Sequence, residues 1–125
     1  MDAEVTIFDK IVQGQIIANI IYEDNLCLAF HDVIPQSPVH ILLIPKQRNG
    51  LTQLSKAQEH NKEVLGHLLF TVSKIVELVN EFNRGFRVVI NDGENGGQGV
   101  WHLHLHIIGG EQLTWPPGSI GSSKK

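Results

Sequence analysis

The chain is short of several things that would have pointed elsewhere. It has one cysteine, Cys27, so it cannot close an internal disulfide, which fits a reducing compartment. The setting of that cysteine, in the run L-C-L-A-F, reads as a small buried thiol. No block of lysines or arginines stands out, and the formal net charge is only -3. Affinity for duplex nucleic acid rests on neutralising many phosphates, so nucleic acid is not expected as a partner. No apolar run approaches the ~18 residues of a membrane span. The opening M-D-A-E-V-T-I-F-D-K is acidic and lacks the apolar core of a signal peptide. No membrane partner is therefore expected, and the expected location is cytoplasmic, with the nucleus also open. There is no internal repeat. What remains is a composition of 42% hydrophobic and 18% charged residues over 125 positions, which suits one globular domain able to bury a core without staples.

Local patterns divide the chain into elements. Thr6 can cap a short helix in which Ile7, Ile11 and Val12 share a face, ending near Gly14. The β-rich runs IIANIIYE (16–23) and NLCLAFHDV (25–33) meet at Glu23, Asp24 and Asn25, as in a hairpin. Pro35 and Pro38 force an extended or turning link. VHILLIP (39–45) reads as a buried strand stopped by Pro45. A long helix is predicted from Ser55, with Gln58 completing a capping box. Its apolar face is Val64, Leu65, Leu68, Leu69, Val72, Ile75, Val76 and Val79, and it ends at Asn83-Arg84-Gly85, with Gly85 as the left-handed cap. FRVVIN (86–91) is the next strand, DGENGGQG (92–99) a glycine-rich loop, and VWHLHLHII (100–108) the last strand. The domain is expected to span 1–110. The tail, 111–125, is rich in proline, glycine and serine, carries W-P-P-G, and should be loose at its end. Hairpins flanking one long helix make an α+β domain with an antiparallel sheet.

The last strand raises the chemical question. On a strand, residues two apart face the same way, so His102, His104 and His106 share one face and Leu103, Leu105 and Ile107 the other. The leucine face is expected to pack on the helix. His60 and His67, in the helical region, read as ordinary helix residues. Three alternating imidazoles suggest either a metal or phosphorus chemistry. At ~3.3 Å per residue, His102 and His106 would stand about 13 Å apart along the strand. One zinc ion with nitrogens at ~2.1 Å could take two neighbours but hardly all three, so no metal or other cofactor is expected. A neutral imidazole, by contrast, is a nucleophile near pH 7, and a second imidazole can bind phosphate or protonate a leaving group. The glycines just before the row let backbone N–H groups approach an anion.

HLHLHII fits the histidine triad pattern His-φ-His-φ-His-φ-φ, with φ apolar. Together with LAFHDVIPQSPVHILLIPK, VVINDGENGGQ and WPPG, it resembles the histidine triad nucleotide-binding proteins, the HINT branch of the HIT superfamily. The likeness runs from about Thr6 to Gly118. W-P-P-G favours this branch over the Fhit dinucleoside polyphosphate hydrolases and the galactose-1-phosphate uridylyltransferases. The resemblance implies a HIT-like fold: a five-stranded antiparallel sheet with one long and one short helix, dimerising into a continuous ten-stranded sheet. It implies a homodimer that binds purine nucleoside monophosphates and hydrolyses the P–N bond of nucleoside 5′-phosphoramidates through a nucleotidyl-histidine. His104 would be the nucleophile, His106 would contact the phosphate and leaving group, and His102 and His40 would orient the nucleophile. Asn91, Gln98 and the Gly99 N–H would hold phosphate oxygens. The nucleoside would sit against Ile7, Phe8, Ile11, Ile16, Phe30, His31, Val33 and Leu42, with Asp32 on the ribose hydroxyls. Trp115 would lie near the partner subunit's site.

Read alone, Asp32 fits a turn or cap equally well, and the apolar residues fit ordinary core packing. One position departs from the pattern: the family usually has Ser or Thr after Gln98, and this chain has Gly99. Two alternatives stand beside the phosphoramidase: a dinucleoside polyphosphate hydrolase or nucleotidyl transferase, which shares the histidine row, and a weakly catalytic purine nucleotide sensor or scaffold, which the Gly99 departure keeps open.

Overall fold

The computed structural model describes residues 4–117. The far end of the tail, 118–125, on which the expectation of loose terminal residues rests, lies outside the described residues, as do residues 1–3. Helix α1, Ile7–Val12, starts where the sequence places it. The Thr6 hydroxyl accepts the Asp9 N–H at 3.3 Å and the Asp9 carboxylate accepts the Thr6 N–H at 2.9 Å. This reciprocal box satisfies two N–H groups that the first turn would otherwise leave without partners.

Strands β1, Ile20–Glu23, and β2, Cys27–His31, form the expected hairpin. Its turn is fixed by Asp24, whose Oδ1 accepts the N–H groups of Leu26 and Cys27 at 2.8 and 2.9 Å. Both strands are shorter than their apolar runs. Residues 16–19 lie outside the sheet, and the register shifts between Ile20 and Tyr22. Strand β3, Val39–Pro45, is buried along its whole length. It sits at the centre of a five-stranded antiparallel sheet of order β1-β2-β3-β5-β4, where β4 is Phe86–Val89 and β5 is Leu105–Gly109.

Two expectations need correction. The long helix, α2, runs Lys62–Leu78, not from Ser55. The Ser55 N–H is held by the Asp92 carboxylate at 2.6 Å, and the Gln58 capping box closes on Asn61, starting a short 3₁₀ turn instead. At the other end Val79 is extended, another 3₁₀ turn occupies Asn80–Phe82, and Gly85 follows with φ of +123°. On the helix face, Leu69 is 60% exposed, and Thr71 takes a buried place by donating its hydroxyl to the His67 carbonyl at 2.7 Å. The last strand begins at Leu105, not Val100. Its approach is diverted because the Leu103 N–H donates to the Leu51 carbonyl at 2.9 Å.

The sheet has a core on each face. Leu103, Leu105 and Ile107 pack with Leu68, Val72 and Ile75 of α2, as the alternation predicts, and Cys27 is buried there. Phe8, Leu28, Phe30, Leu42 and Ile44 form the second, smaller cluster under α1. Among the described residues, no helix is long and apolar enough to cross a membrane.

Candidate active site

Sheet register decides which side chains meet. Leu42 pairs with Phe30 on one side and with His106 on the other. Side chains two apart share a face, so His40 joins Leu42, Phe30 and His106 on the face that α1 covers. Helix α1 contributes Phe8, whose ring packs edge-on at 5.0 Å from the His104 ring and 5.7 Å from His102. Together these elements enclose a cavity of about 360 Å³, within the ~300–1,000 Å³ usual for small-molecule sites. His104 and His106 open into it. Ile7, Phe8, Ile11, Ile16, Phe30, His31, Asp32, Val33 and Leu42 line it, with Asn91 and Gly99 at the far side.

Hydrogen bonds fix the proton on each imidazole. The Nδ1 of His40 accepts the Gln36 backbone N–H at 3.0 Å, so its Nε2 carries the hydrogen. That Nε2 donates to Nδ1 of His106 at 2.9 Å, so His106 in turn carries its hydrogen on Nε2. His104 is the opposite tautomer: its Nδ1–H donates to the His102 carbonyl at 2.7 Å, leaving Nε2 as a bare lone pair. The two rings lie 5.0 Å apart between centroids. The cavity therefore holds a nucleophilic nitrogen beside an N–H donor, and the His106 Nε2–H is buried without a partner. His102 does not line the cavity. It is fully buried, its Nε2–H donates to the Pro45 carbonyl at 2.8 Å, and its Nδ1 lies 3.5 Å from the Asp9 carboxylate. Its contribution to the site is the backbone carbonyl that orients His104.

Burial keeps all four imidazoles neutral. It lowers the pKa of His40, His102 and His104 below the ordinary value, against weaker opposing pulls from Asp32 on His40 and His104 and from the Pro45 carbonyl on His102. His106 falls furthest, to about 4, through burial and then its neighbours His104 and His40. The sign for stability follows. Below the unfolded value of about 6.5, the unfolded chain takes up protons that the folded chain refuses. Stability is full above that pH and falls below it, with a slope of up to about 1.4 kcal/mol per pH unit for each histidine. For His106 the loss continues down to about 4. Denaturant midpoints at pH of about 7.5, 6 and 5 measure this, and an unchanged midpoint across that range would contradict the burial argument.

Two other expected phosphate ligands behave differently. The Asn91 side chain lines the cavity while donating to the Gly96 carbonyl at 2.8 Å. The Gln98 side chain does not reach the cavity. Its amide donates to the carbonyls of Thr52 and Val100 at 2.7 and 3.0 Å, and its oxygen accepts the Gly93 N–H at 2.9 Å, so it pins the glycine loop. The loop is tight: a Cβ on Gly96 would lie 2.3 Å from the Asp92 carbonyl oxygen. The N–H groups of Gly93, Gly96, Gly97 and Gln98 all bond within the loop; that of Gly99 is not among these bonds. Asp32 caps a turn, its Oδ1 accepting the Ile34 N–H at 3.0 Å, and its Oδ2 lies 3.5 Å from His40 Nε2 at the cavity edge. Trp115 is 83% exposed and does not line the cavity. Sequence reasoning missed Ile17, Ala18, Gly97 and Val100 as lining residues. The first two were read as strand, and the strand begins only at Ile20.

Comparisons with known proteins identify the family. The model of the HIT domain matches residues 13–113. The chain is 55% identical over 113 residues to the Arabidopsis thaliana protein called adenylylsulfatase HINT1, covering 90% of this chain and 76% of that protein. It is 51% identical over 118 residues to a 14 kDa zinc-binding protein of Zea mays, covering 94% and 91%. Among solved structures, a HIT family hydrolase from Legionella pneumophila superposes with a TM-score of 0.85 at 39% identity, covering 91% of this chain and all of that one.

Proposed function

The chain belongs to the HIT domain family, in its histidine triad nucleotide-binding branch, and on that premise we propose that it hydrolyses nucleoside 5′-phosphoramidates through a nucleotidyl-histidine on His104. The observation that carries this reading is the pair of opposite tautomers, a bare Nε2 on His104 beside an Nε2–H on His106. The purine nucleoside would lie against Phe30, Leu42 and the isoleucines of α1, with Asp32 accepting the ribose hydroxyls. The His104 lone pair attacks phosphorus and the P–N bond breaks. The His106 Nε2–H follows the departing nitrogen as it leaves as an amine, while Asn91 and the Gly99 N–H hold phosphate oxygens. Water then attacks the same phosphorus, releases the nucleoside monophosphate and returns a proton to the histidines.

Charge separates this reading from its alternatives. No lysine or arginine is among the described residues lining the cavity, and Asp32 adds a negative charge. A single phosphoryl anion suits such a site better than a dinucleoside polyphosphate does. The name of the Arabidopsis relative supports a second substrate, a nucleoside phosphosulfate, whose sulfate departs without needing a proton. Turnover on adenosine 5′-phosphoramidate, adenylyl sulfate and a diadenosine polyphosphate tests the order. Preferred cleavage of the polyphosphate would overturn it, and mononucleotide binding with no turnover would identify a sensor.

Zinc, which the maize relative's name attaches to that protein, does not fit the cavity's donors. Ligand atoms of Asp32, His40 and His106 lie within 4.8 Å of one another. However, the Gln36 N–H occupies His40 Nδ1, so Nε2 holds a hydrogen where an ion would need a lone pair. Turnover should survive dialysis against a strong chelator; activity lost and restored only by zinc would contradict this.

The homodimer is proposed on the exposed edge. Strand β4 ends the sheet, and large apolar side chains stay exposed on it and on α2: Phe86, Leu69 and Phe70. Pairing of two β4 edges would give the ten-stranded sheet, with Trp115 near the partner's cavity. Sedimentation equilibrium at micromolar concentration should give twice the 13.9 kDa chain mass; a monomer alone would refute it.

A further inference from the structure

A second group of chemically competent side chains lies on the opposite face of the sheet, away from the histidine cavity. Asp24 is in the β1–β2 turn, Cys27 opens β2, and His67 is in the second turn of α2. One ligand atom from each, a carboxylate oxygen, the thiol sulfur and a ring nitrogen, lies within 4.8 Å of the other two. We propose that Asp24, Cys27 and His67 bind one zinc ion, tying the hairpin turn to the long helix.

The donor set is the first argument. Thiolate, imidazole and carboxylate together suit zinc rather than calcium or magnesium, which take oxygen ligands. Ligand freedom is the second, and here the group differs from the cavity. His67 makes its one recorded side-chain bond through Nε2, to Asp24 Oδ2 at 2.7 Å, and its side chain is partly exposed. The hydrogen can move to Nδ1 and leave a lone pair at Nε2, whereas the Gln36 N–H forbids that shift in His40. Asp24 keeps its turn role on Oδ1 and offers Oδ2, which now accepts from His67 and from the Tyr22 hydroxyl at 3.0 Å. The Cys27 thiol makes only a long contact to Thr71 Oγ1 at 3.8 Å. On binding, the ion takes the place of the His67 and thiol hydrogens, and the thiol proton is released to water.

Geometry asks for a small adjustment. Zinc bond lengths of ~2.0–2.3 Å in a tetrahedron put ligand atoms about 3.3–3.7 Å apart. The Asp24–His67 pair must open from 2.7 Å and the sulfur must close in from at most 4.8 Å. The partly exposed His67 side chain can supply this movement, and water or the Tyr22 oxygen can complete four ligands.

Cobalt(II) is the probe, because a thiolate ligand gives it an intense near-ultraviolet charge-transfer band that imidazole and carboxylate do not. Chelator-treated full-length protein titrated with cobalt(II) should show this band saturating at one equivalent, displaced by zinc. Cys27→Ala should abolish it, and His67→Gln should weaken cobalt binding at least tenfold. His106→Asn, in the other cavity, should leave the band as it is. If Cys27→Ala does not fold, His67→Gln and the wild type still decide. A folded wild type that gives no thiolate band at saturating cobalt, or a band unchanged in His67→Gln, overturns the site.

Discussion

His104→Ala should lower turnover on adenosine 5′-phosphoramidate by roughly a thousandfold or more, as loss of a covalent nucleophile does elsewhere. The size follows from the position of the ring. Of the two triad imidazoles that open into the cavity, His104 alone directs a lone pair there, because His106 presents an N–H. His106 cannot take its place without exchanging a hydrogen that the Gln36–His40–His106 chain fixes. Alanine enlarges an existing cavity instead of opening a sealed one, so the fold should hold. Mononucleotide affinity should stay within a few-fold, since the proposed base contacts are Phe30, Leu42 and α1. Rapid quench should trap a nucleotide on the wild-type protein and none on the variant. Near-normal turnover by His104→Ala would sink the mechanism, and a trapped nucleotide on the variant would move the nucleophile elsewhere.

Much of this site was legible in the chain, for identifiable reasons. Alternation put Leu103, Leu105 and Ile107 into the helix-side core and sent His104 and His106 the other way, and that holds although only His106 lies within β5. What the pattern could not carry is the bend before Leu105, because it depends on long-range bonds from Leu103 to Leu51 and from His102 to Pro45. Those bonds also separate the roles of two histidines that look alike in sequence. Gln98 shows the same limit. An amide beside a glycine loop suggests a phosphate ligand, but Thr52, distant in sequence, supplies a buried carbonyl that captures it. Ser55 and Gln58 have the chemistry of a helix start, yet Asp92 and Asn61 bind them first and delay the helix to Lys62. Local signals were right about which groups seek partners, and tertiary contacts decided which partners they found.

Gly99→Ser should raise kcat on amine-leaving substrates by about tenfold or more, without changing mononucleotide affinity. Position 99 borders the cavity and has no side chain in a site where burial holds His104 and His106 neutral. A neutral His106 N–H is a weak acid, so the departing nitrogen lacks a ready proton. A serine hydroxyl can both accept and donate, and can relay a proton that a backbone N–H, donating from one fixed direction, cannot. A hydrogen bond to a charged group contributes roughly 1.5–3 kcal/mol, a ten- to hundredfold rate effect if it is felt only in the transition state. Backbone strain does not stand in the way: Gly99 is not among the positive-φ glycines, and an added Cβ would meet nothing within 4 Å. Adenylyl sulfate provides the control, because sulfate leaves as a weakly basic anion and gains little from a proton. The ratio of phosphoramidate to phosphosulfate turnover should therefore rise in the variant by the same tenfold or more. An unchanged ratio with intact affinity would mean that protonation of the leaving group does not limit this enzyme.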